Sequence, residues 1–288
     1  MKLISFKVEG QEKFGLIVEN GVVDLSTRFH VDTLRAFLET HDALEVETYK
    51  EEAADFSIEE ITLLPVVTNP SKILCAGVNY DEHRKEANKD RTENPTIFLR
   101  LAESQISAND PMIIPTESPN LDYEGEIAIV ISKEGFRIAE EDAYDYIAGY
   151  SIYNDGSIRD WQLHTTQWIP GKNFNHTGAF GPWLVLKDEI ADGEVLSLET
   201  RLNGEVMQKA DTSMLLFSIP ELIAYASSFT TLKAGDVIVT GTPGGVGFKR
   251  NPPVYMQDGD VVEVEVSKVG VLSTNIQAES KVEKLAHI

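Results

Sequence analysis

The run Leu121-Asp122-Tyr123-Glu124-Gly125-Glu126-Ile127-Ala128-Ile129-Val130-Ile131 has an acidic head followed by an apolar strand. In a strand, residues two apart point to the same face and lie roughly 6.6 Å apart along the chain, so Glu124 and Glu126 can converge on one ion. Gly125 leaves the opposite face bare. On its own, the spacing also reads as the solvated face of a strand in an acidic chain. A second apolar run, Ile147-Ala148-Gly149-Tyr150-Ser151-Ile152-Tyr153, leads into Asn154-Asp155-Gly156, where the chain turns and presents another carboxylate at a strand end. Glu124, Glu126 and Asp155 together make a hard-oxygen set. Such a set suits Mg²⁺ or Mn²⁺ and contains no soft ligand that favours zinc.

Outward from these two runs, strand patterns cover Ile73 to Gly77, Pro95 to Arg100, Gly181 to Val185, Ser197 to Leu202, Asp236 to Thr240 and Val261 to Val266. Helical patterns are fewer: Asp81 to Asn88, Ala139 to Ala143, Ser157 to Thr165, and Ser218 to Ser228, with Pro220 near the start of the last, where helices tolerate it. The regular alternation of a doubly wound fold is missing, and the chain reads as α+β, mainly β. Residues 1 to 66 hold short strands (Leu3 to Val8, Lys13 to Glu19, Val22 to Leu25), a short helix near Val31 to Glu39 and an acidic stretch. Pro65 and Pro70 bracket an extended linker. We therefore expect a small N-terminal unit, 1–66, and a larger catalytic unit, 67–288.

The 288 residues suffice for a substantial core without disulfides, and the single Cys75, in Ile73-Leu74-Cys75-Ala76-Gly77, reads as a buried strand residue. A formal net charge of −22 repels phosphates and anionic lipid, so neither nucleic acid nor membrane is an expected partner. The N-terminus turns polar too early for a signal peptide, and the cytoplasm is the expected compartment. The same charge repels small acidic substrates. Any anion site must be assembled locally, from a metal ion and a few cations.

His83 and Glu86 are three apart in Tyr80-Asp81-Glu82-His83-Arg84-Lys85-Glu86, so on a helix the carboxylate can orient the imidazole as a general base. The bland alternative is a surface-helix histidine. Thr240-Gly241-Thr242-Pro243-Gly244-Gly245-Val246-Gly247 follows a strand, and its hydroxyls and backbone N–H groups can hold a carboxylate; it also reads as a plain turn. It is neither a phosphate-binding loop nor a dinucleotide fingerprint. No Gly-x-Ser-x-Gly elbow or His-Glu-x-x-His pair is present, which argues against covalent hydrolysis.

Taken in order, Gly77-Val78-Asn79-Tyr80 with His83 and Glu86, Phe98-Leu99-Arg100, Asp122-Tyr123-Glu124-Gly125-Glu126, Asn154-Asp155 with Arg159-Asp160, Gly171-Lys172 and Thr240-Gly241-Thr242-Pro243 resemble the fumarylacetoacetate hydrolase family from Lys72 to about Ile276. The resemblance implies a mixed β-sandwich or roll that dimerises through its catalytic domain. It implies metal ligation by Glu124, Glu126 and Asp155, a His83–Glu86 dyad on a mobile lid, and Lys172 as a cation facing the substrate's oxygens. Gln162 matches a position that reaches substrate in some relatives. With it we assign Arg100 and Thr242 to substrate binding, although the family commonly has lysine where Arg100 stands. Arg159 and Asp160 are expected to form a structural ion pair. The implied chemistry is hydrolysis of the C–C bond of acylpyruvate-type 2,4-dioxo acids through a metal-stabilised pyruvate enolate. The alternatives are oxaloacetate decarboxylation and isomerisation of a 2-oxo diacid through the same enolate, or a metal-binding ligand sensor without turnover.

Overall fold

The computed structural model describes residues 1–281. Its main sheet runs in the order Gly21–Asp24, Gln11–Val18, Lys2–Val8, Gly178–Leu186, Ile147–Asp155, Gly125–Ile131, Val237–Val239, Ile73–Gly77 and Thr96–Arg100, with two short strands added at Lys2–Val8 and Gly178–Leu186. A second sheet, Glu205–Asp211, Ser197–Leu202, Val261–Val266, Gly270–Ala278 and Met112–Ile114, lies against it. Helices are few and short, so the expected strand-rich sandwich holds. Among the described residues no helix is long and apolar enough to cross a membrane.

The strand Gly125–Ile131 is buried along its whole length. Its odd positions, Ile127, Ile129 and Ile131, join a core with Leu198, Val262 and Val264 of the second sheet. Its even positions, Ala128 and Val130, join another core with Phe14, Val237 and Val239. Period-two alternation thus assigns the faces: Gly125 points at the second sheet, and Glu126 at the other side. A Cβ on Gly125 would lie 2.1 Å from Thr200 Oγ1, so the missing side chain lets the sheets approach here. The second sheet alternates as well, with Val262, Val264 and Val266 inward and Glu263 and Glu265 outward.

The N-terminal strands extend the main sheet, since Lys2 and Leu3 pair with Val185 and Leu184, and the Leu186 N–H donates to Met1 O at 3.1 Å. Residues 1–66 are therefore joined to the rest by main-chain bonds as well as by the linker. The expected helix Ser157 to Thr165 is mostly absent. Ser157–Ile158 pairs as a short strand with Leu121–Asp122, and only Arg159–Gln162 is helical. The helix at Ala139 to Ala143 is a 3-10 turn over Glu140–Tyr146. Helix Ile219–Phe229 begins as expected, with Ser218 and Glu221 forming a capping box. Strands Glu205–Asp211 and Gly270–Ala278 were not expected from the pattern.

Candidate active site

Register sets the acidic cluster. Gly125 pairs with Asn154 and Glu126 with Tyr153, while the Asp155 N–H donates to Glu124 O at 2.8 Å. Asp155, two residues past Tyr153, therefore shares the face of Glu126. The carboxylates of Glu124, Glu126 and Asp155 each place an oxygen within 4.8 Å of the others, and all three residues are buried.

Cations compensate part of this charge. Lys172 Nζ donates to Glu124 Oε2 at 2.5 Å and to Asp155 Oδ2 at 2.6 Å. Arg159 bonds Glu124 Oε1 at 2.7 Å and Asp122 Oδ2 at 2.8 Å. The expected Arg159–Asp160 pair does not form. Asp160 instead accepts from the Ser118 hydroxyl, because the short strand at 157–158 lays Arg159 against Asp122. Asp122 also accepts from the N–H groups of Gly247 and Phe248, which ties the loop after Thr240 to the same network.

Arg100 lies behind the cluster, outside the cavity wall. Its guanidinium donates to Asp155 Oδ1 at 2.6 Å, Gly156 O at 3.0 Å, Thr177 Oγ1 at 2.8 Å and Ser104 Oγ at 3.2 Å. Fully buried and with four of its five N–H groups so engaged, it braces Asp155 and does not line the cavity. This placement differs from the substrate-binding role expected for it.

His83 is buried on helix Asp81–Glu86, and its Nδ1 lies 3.2 Å from Glu86 Oε2. Glu86 in turn accepts from the Gly245 N–H at 3.3 Å. An ionised Glu86 places the proton on Nδ1, which leaves the Nε2 lone pair as the base. His83, Glu124, Glu126, Lys172, Gln162 and Thr242 line one cavity of ≈ 220 Å³. That is smaller than the roughly 300–1,000 Å³ of drug-sized ligand sites, and suits a small acid. Gln162 accepts from Arg159 at 2.9 Å, and the Thr242 hydroxyl donates to Gly125 O at 3.0 Å. Arg159 Nη2 is buried with no hydrogen-bond partner among the described residues, and Arg159 also lines the cavity.

Residues 72–277 match the family described as fumarylacetoacetate (FAA) hydrolase C-terminal. The chain belongs to the fumarylacetoacetate hydrolase family. It is 44% identical over 222 residues to a mitochondrial oxaloacetate tautomerase of Xenopus laevis, covering 76% of this chain and 70% of that one. It is 37% identical over 286 residues to a mitochondrial oxaloacetate tautomerase of Rattus norvegicus, covering 96% and 91%. Both are named for a compartment other than the cytoplasm expected from this sequence. Among solved structures it resembles maleylpyruvate hydrolase from Sphingobium sp. SYK-6 in complex with manganese(II) and pyruvate, with a TM-score of 0.81 and 27% identity over 96% of this chain and 99% of that one.

The electrostatics of this family member fit a divalent cation. Four buried carboxylates, Asp122, Glu124, Glu126 and Asp155, face three buried cations, Arg100, Arg159 and Lys172. The uncompensated charge falls on Glu126. Burial, then Asp155 and Glu124, push its carboxyl well above the usual range, and Lys172 with the Gly241 N–H does not offset them. Gly241 has φ +98°, a left-handed geometry that aims this N–H at Glu126. For Glu124, burial acts upward, but Lys172 and Arg159 overcome it and hold the carboxyl below its usual range. All three candidate ligands are oxygen donors, which matches Mg²⁺ or Mn²⁺.

Two contributors escaped the sequence reading. Gln208, on the strand Glu205–Asp211, accepts from the Gly125 N–H at 3.0 Å and donates to Thr242 Oγ1 at 2.8 Å and to Pro243 O at 2.9 Å. It thereby fixes the turn to the acidic strand from the opposite sheet. Nothing in its local sequence marks it. Asp122 stands in the acidic run, but its partner Arg159 reaches it only across the short strand pairing. Cys75 is buried as expected, and burial, then Asp155 and Glu126, push its thiol well up, so it is inert.

Proposed function

We propose that this chain catalyses enol–keto tautomerisation of a 2-oxo diacid of the oxaloacetate type, passing through its enolate. The observation that carries this reading is His83, held by Glu86, lining the same small cavity as Glu124 and Glu126, whose carboxylates lie within 4.8 Å of that of Asp155. The names of the Xenopus laevis and Rattus norvegicus relatives support the substrate.

Glu124, Glu126 and Asp155 would hold Mg²⁺ or Mn²⁺, which when bound supplies positive charge that polarises a 2-oxo acid. His83 removes a proton from C3 of the keto form, and Glu86 steadies the imidazolium that results. The electron pair moves onto the keto oxygen, and a proton delivered to that oxygen completes the enol; the reverse sequence returns the keto form. Arg159 Nη2 and Lys172 stand ready to donate to the oxygens of the acid end. Thr242 and Gln162 shape the wall and exclude water. No covalent enzyme intermediate is needed.

C–C hydrolysis of acylpyruvates is the second reading, favoured by the likeness to a maleylpyruvate hydrolase solved with manganese and pyruvate. It uses the same base to activate water. Decarboxylation of oxaloacetate shares the enolate, and a two-fold dimer accompanies all three readings. The test follows ultraviolet loss of enol-oxaloacetate beside pyruvate release from acetylpyruvate and from oxaloacetate, with added Mg²⁺ or Mn²⁺. Faster enol loss without comparable pyruvate release supports tautomerisation. Pyruvate release from acetylpyruvate as the dominant activity overturns it in favour of hydrolysis.

A further inference from the structure

Every positive group deep in the cavity is engaged with a carboxylate, but the cavity also meets Lys89 and Lys249, which are exposed and in no ion pair among the described residues. The two come from separate loops. Lys89 follows helix Asp81–Glu86, and its backbone is pinned to Arg84, whose O accepts the Lys89 N–H at 3.0 Å and whose Nη1 donates to Lys89 O at 2.8 Å. Lys249 ends the turn Gly247–Lys249, whose N–H groups at Gly247 and Phe248 are held by Asp122, and its ammonium lies 4.8 Å from the Phe248 ring centroid. Lys89 is therefore tied through backbone to the helix that carries His83, and Lys249 sits on a turn held by Asp122, while neither ammonium is in an ion pair among the described residues.

A second cavity, ≈ 230 Å³, shares Gly77, Val78, Lys89 and Trp168 with the first. Its charged lining is Arg84, Lys89 and Arg91 against Asp90 alone. In a chain of net charge −22, a mouth with a local excess of cations offsets the field that repels acids. The acid end of a 2-oxo acid is claimed by the inner groups, so a substituent at its far end emerges beside these lysines.

We propose that Lys89 and Lys249 form a cationic collar that reads the second, distal carboxylate of the substrate, and so make the site selective for 2-oxo diacids over 2-oxo monoacids. The collar rests on the 2-oxo acid reading above. Lysine suits this task because its ammonium is a point charge on a flexible stem and can follow diacids of different length.

The experiment titrates the Mn²⁺-loaded protein by calorimetry with 2-oxoglutarate and with 2-oxopentanoate, which carries a methyl group where the diacid has its second carboxylate. Wild type should bind the diacid more tightly, with a preference that shrinks as ionic strength rises. Exposed ion pairs are modest, so Lys89→Gln and Lys249→Gln should each weaken 2-oxoglutarate by about two- to fivefold, and the double variant by about tenfold, leaving 2-oxopentanoate unchanged. Equal binding of the two acids by wild type, or an undiminished diacid preference in the double variant, overturns the collar and leaves the 2-oxo acid reading standing. If neither acid binds, the 2-oxo acid reading itself fails and the collar falls with it.

Discussion

Replacing Arg100 separates a brace from a substrate contact. Its side chain and that of Asp155 are both fully buried, and the pair is joined at 2.6 Å. In Arg100→Met, Asp155 loses its partner on the side away from Lys172, and Gly156 O and Thr177 Oγ1 lose donors. Breaking a buried pair from one side costs about 3–5 kcal/mol. At roughly 2–4 °C per kcal/mol for a chain of this size, the melting temperature should fall by roughly 6–20 °C. Arg100→Lys keeps the charge but lacks the fork, so it forfeits two hydrogen bonds and should cost about 1–3 kcal/mol. Loosening a ligand's outer partner typically weakens metal binding by about 10- to 100-fold. Scanning calorimetry and Mn²⁺ titration read both effects, and KM for the 2-oxo acid at saturating metal should stay near wild type. A raised KM with unchanged melting temperature and metal affinity would refute the bracing role and return Arg100 to the substrate.

His83→Gln should lower turnover by about 10²- to 10⁴-fold yet still bind oxalate in the presence of Mn²⁺; parallel loss of oxalate binding would show that His83 positions ligand instead. Gly125→Ala puts a Cβ 2.1 Å from Thr200 Oγ1 and 3.0 Å from Val264 Cγ1, so a melt should show roughly 1–3 kcal/mol of destabilisation, relieved by adding Thr200→Gly; a neutral single variant contradicts the sheet approach. Because the folded-state pKa of Glu126 is raised, protons compete with metal at this residue, and Mn²⁺ affinity should climb as pH rises through and above the usual carboxylate range. In the metal-free protein the same group contributes stability that is present below its ordinary pKa and lost as pH rises through the raised one. Metal affinity followed by electron paramagnetic resonance that is flat with pH would contradict this assignment.

The acidic set was legible only in part from local geometry, with two acids two apart at a strand head and a third where the next strand ends; that spacing also reads as a solvated strand face, and the resemblance to the family singled it out. The antiparallel register between those strands then did what sequence neighbours predict. The Arg100–Asp155 contact was not legible, because only tertiary structure decides which of its possible partners Arg100 meets, and Asp155 is 55 residues away. At Ser157 to Thr165 the helical pattern lost to two residues of strand pairing with Leu121–Asp122, and that pairing in turn gave Arg159 the partner Asp122 in place of Asp160. Gln208 was invisible for a related reason. Its amide joins Gly125 and Thr242 across the gap between sheets, a contact with no period and no motif.

Enolate formation at C3 underlies every activity considered for this site, and it can be observed without knowing the product. Incubating the protein with pyruvate in D₂O and following deuterium entry at the methyl group by NMR measures it directly. The account predicts exchange that depends on Mg²⁺ or Mn²⁺ and is lost in both Glu126→Gln and His83→Gln. Absence of exchange by a protein shown to have metal and pyruvate bound, or full exchange in the His83 variant, would contradict it.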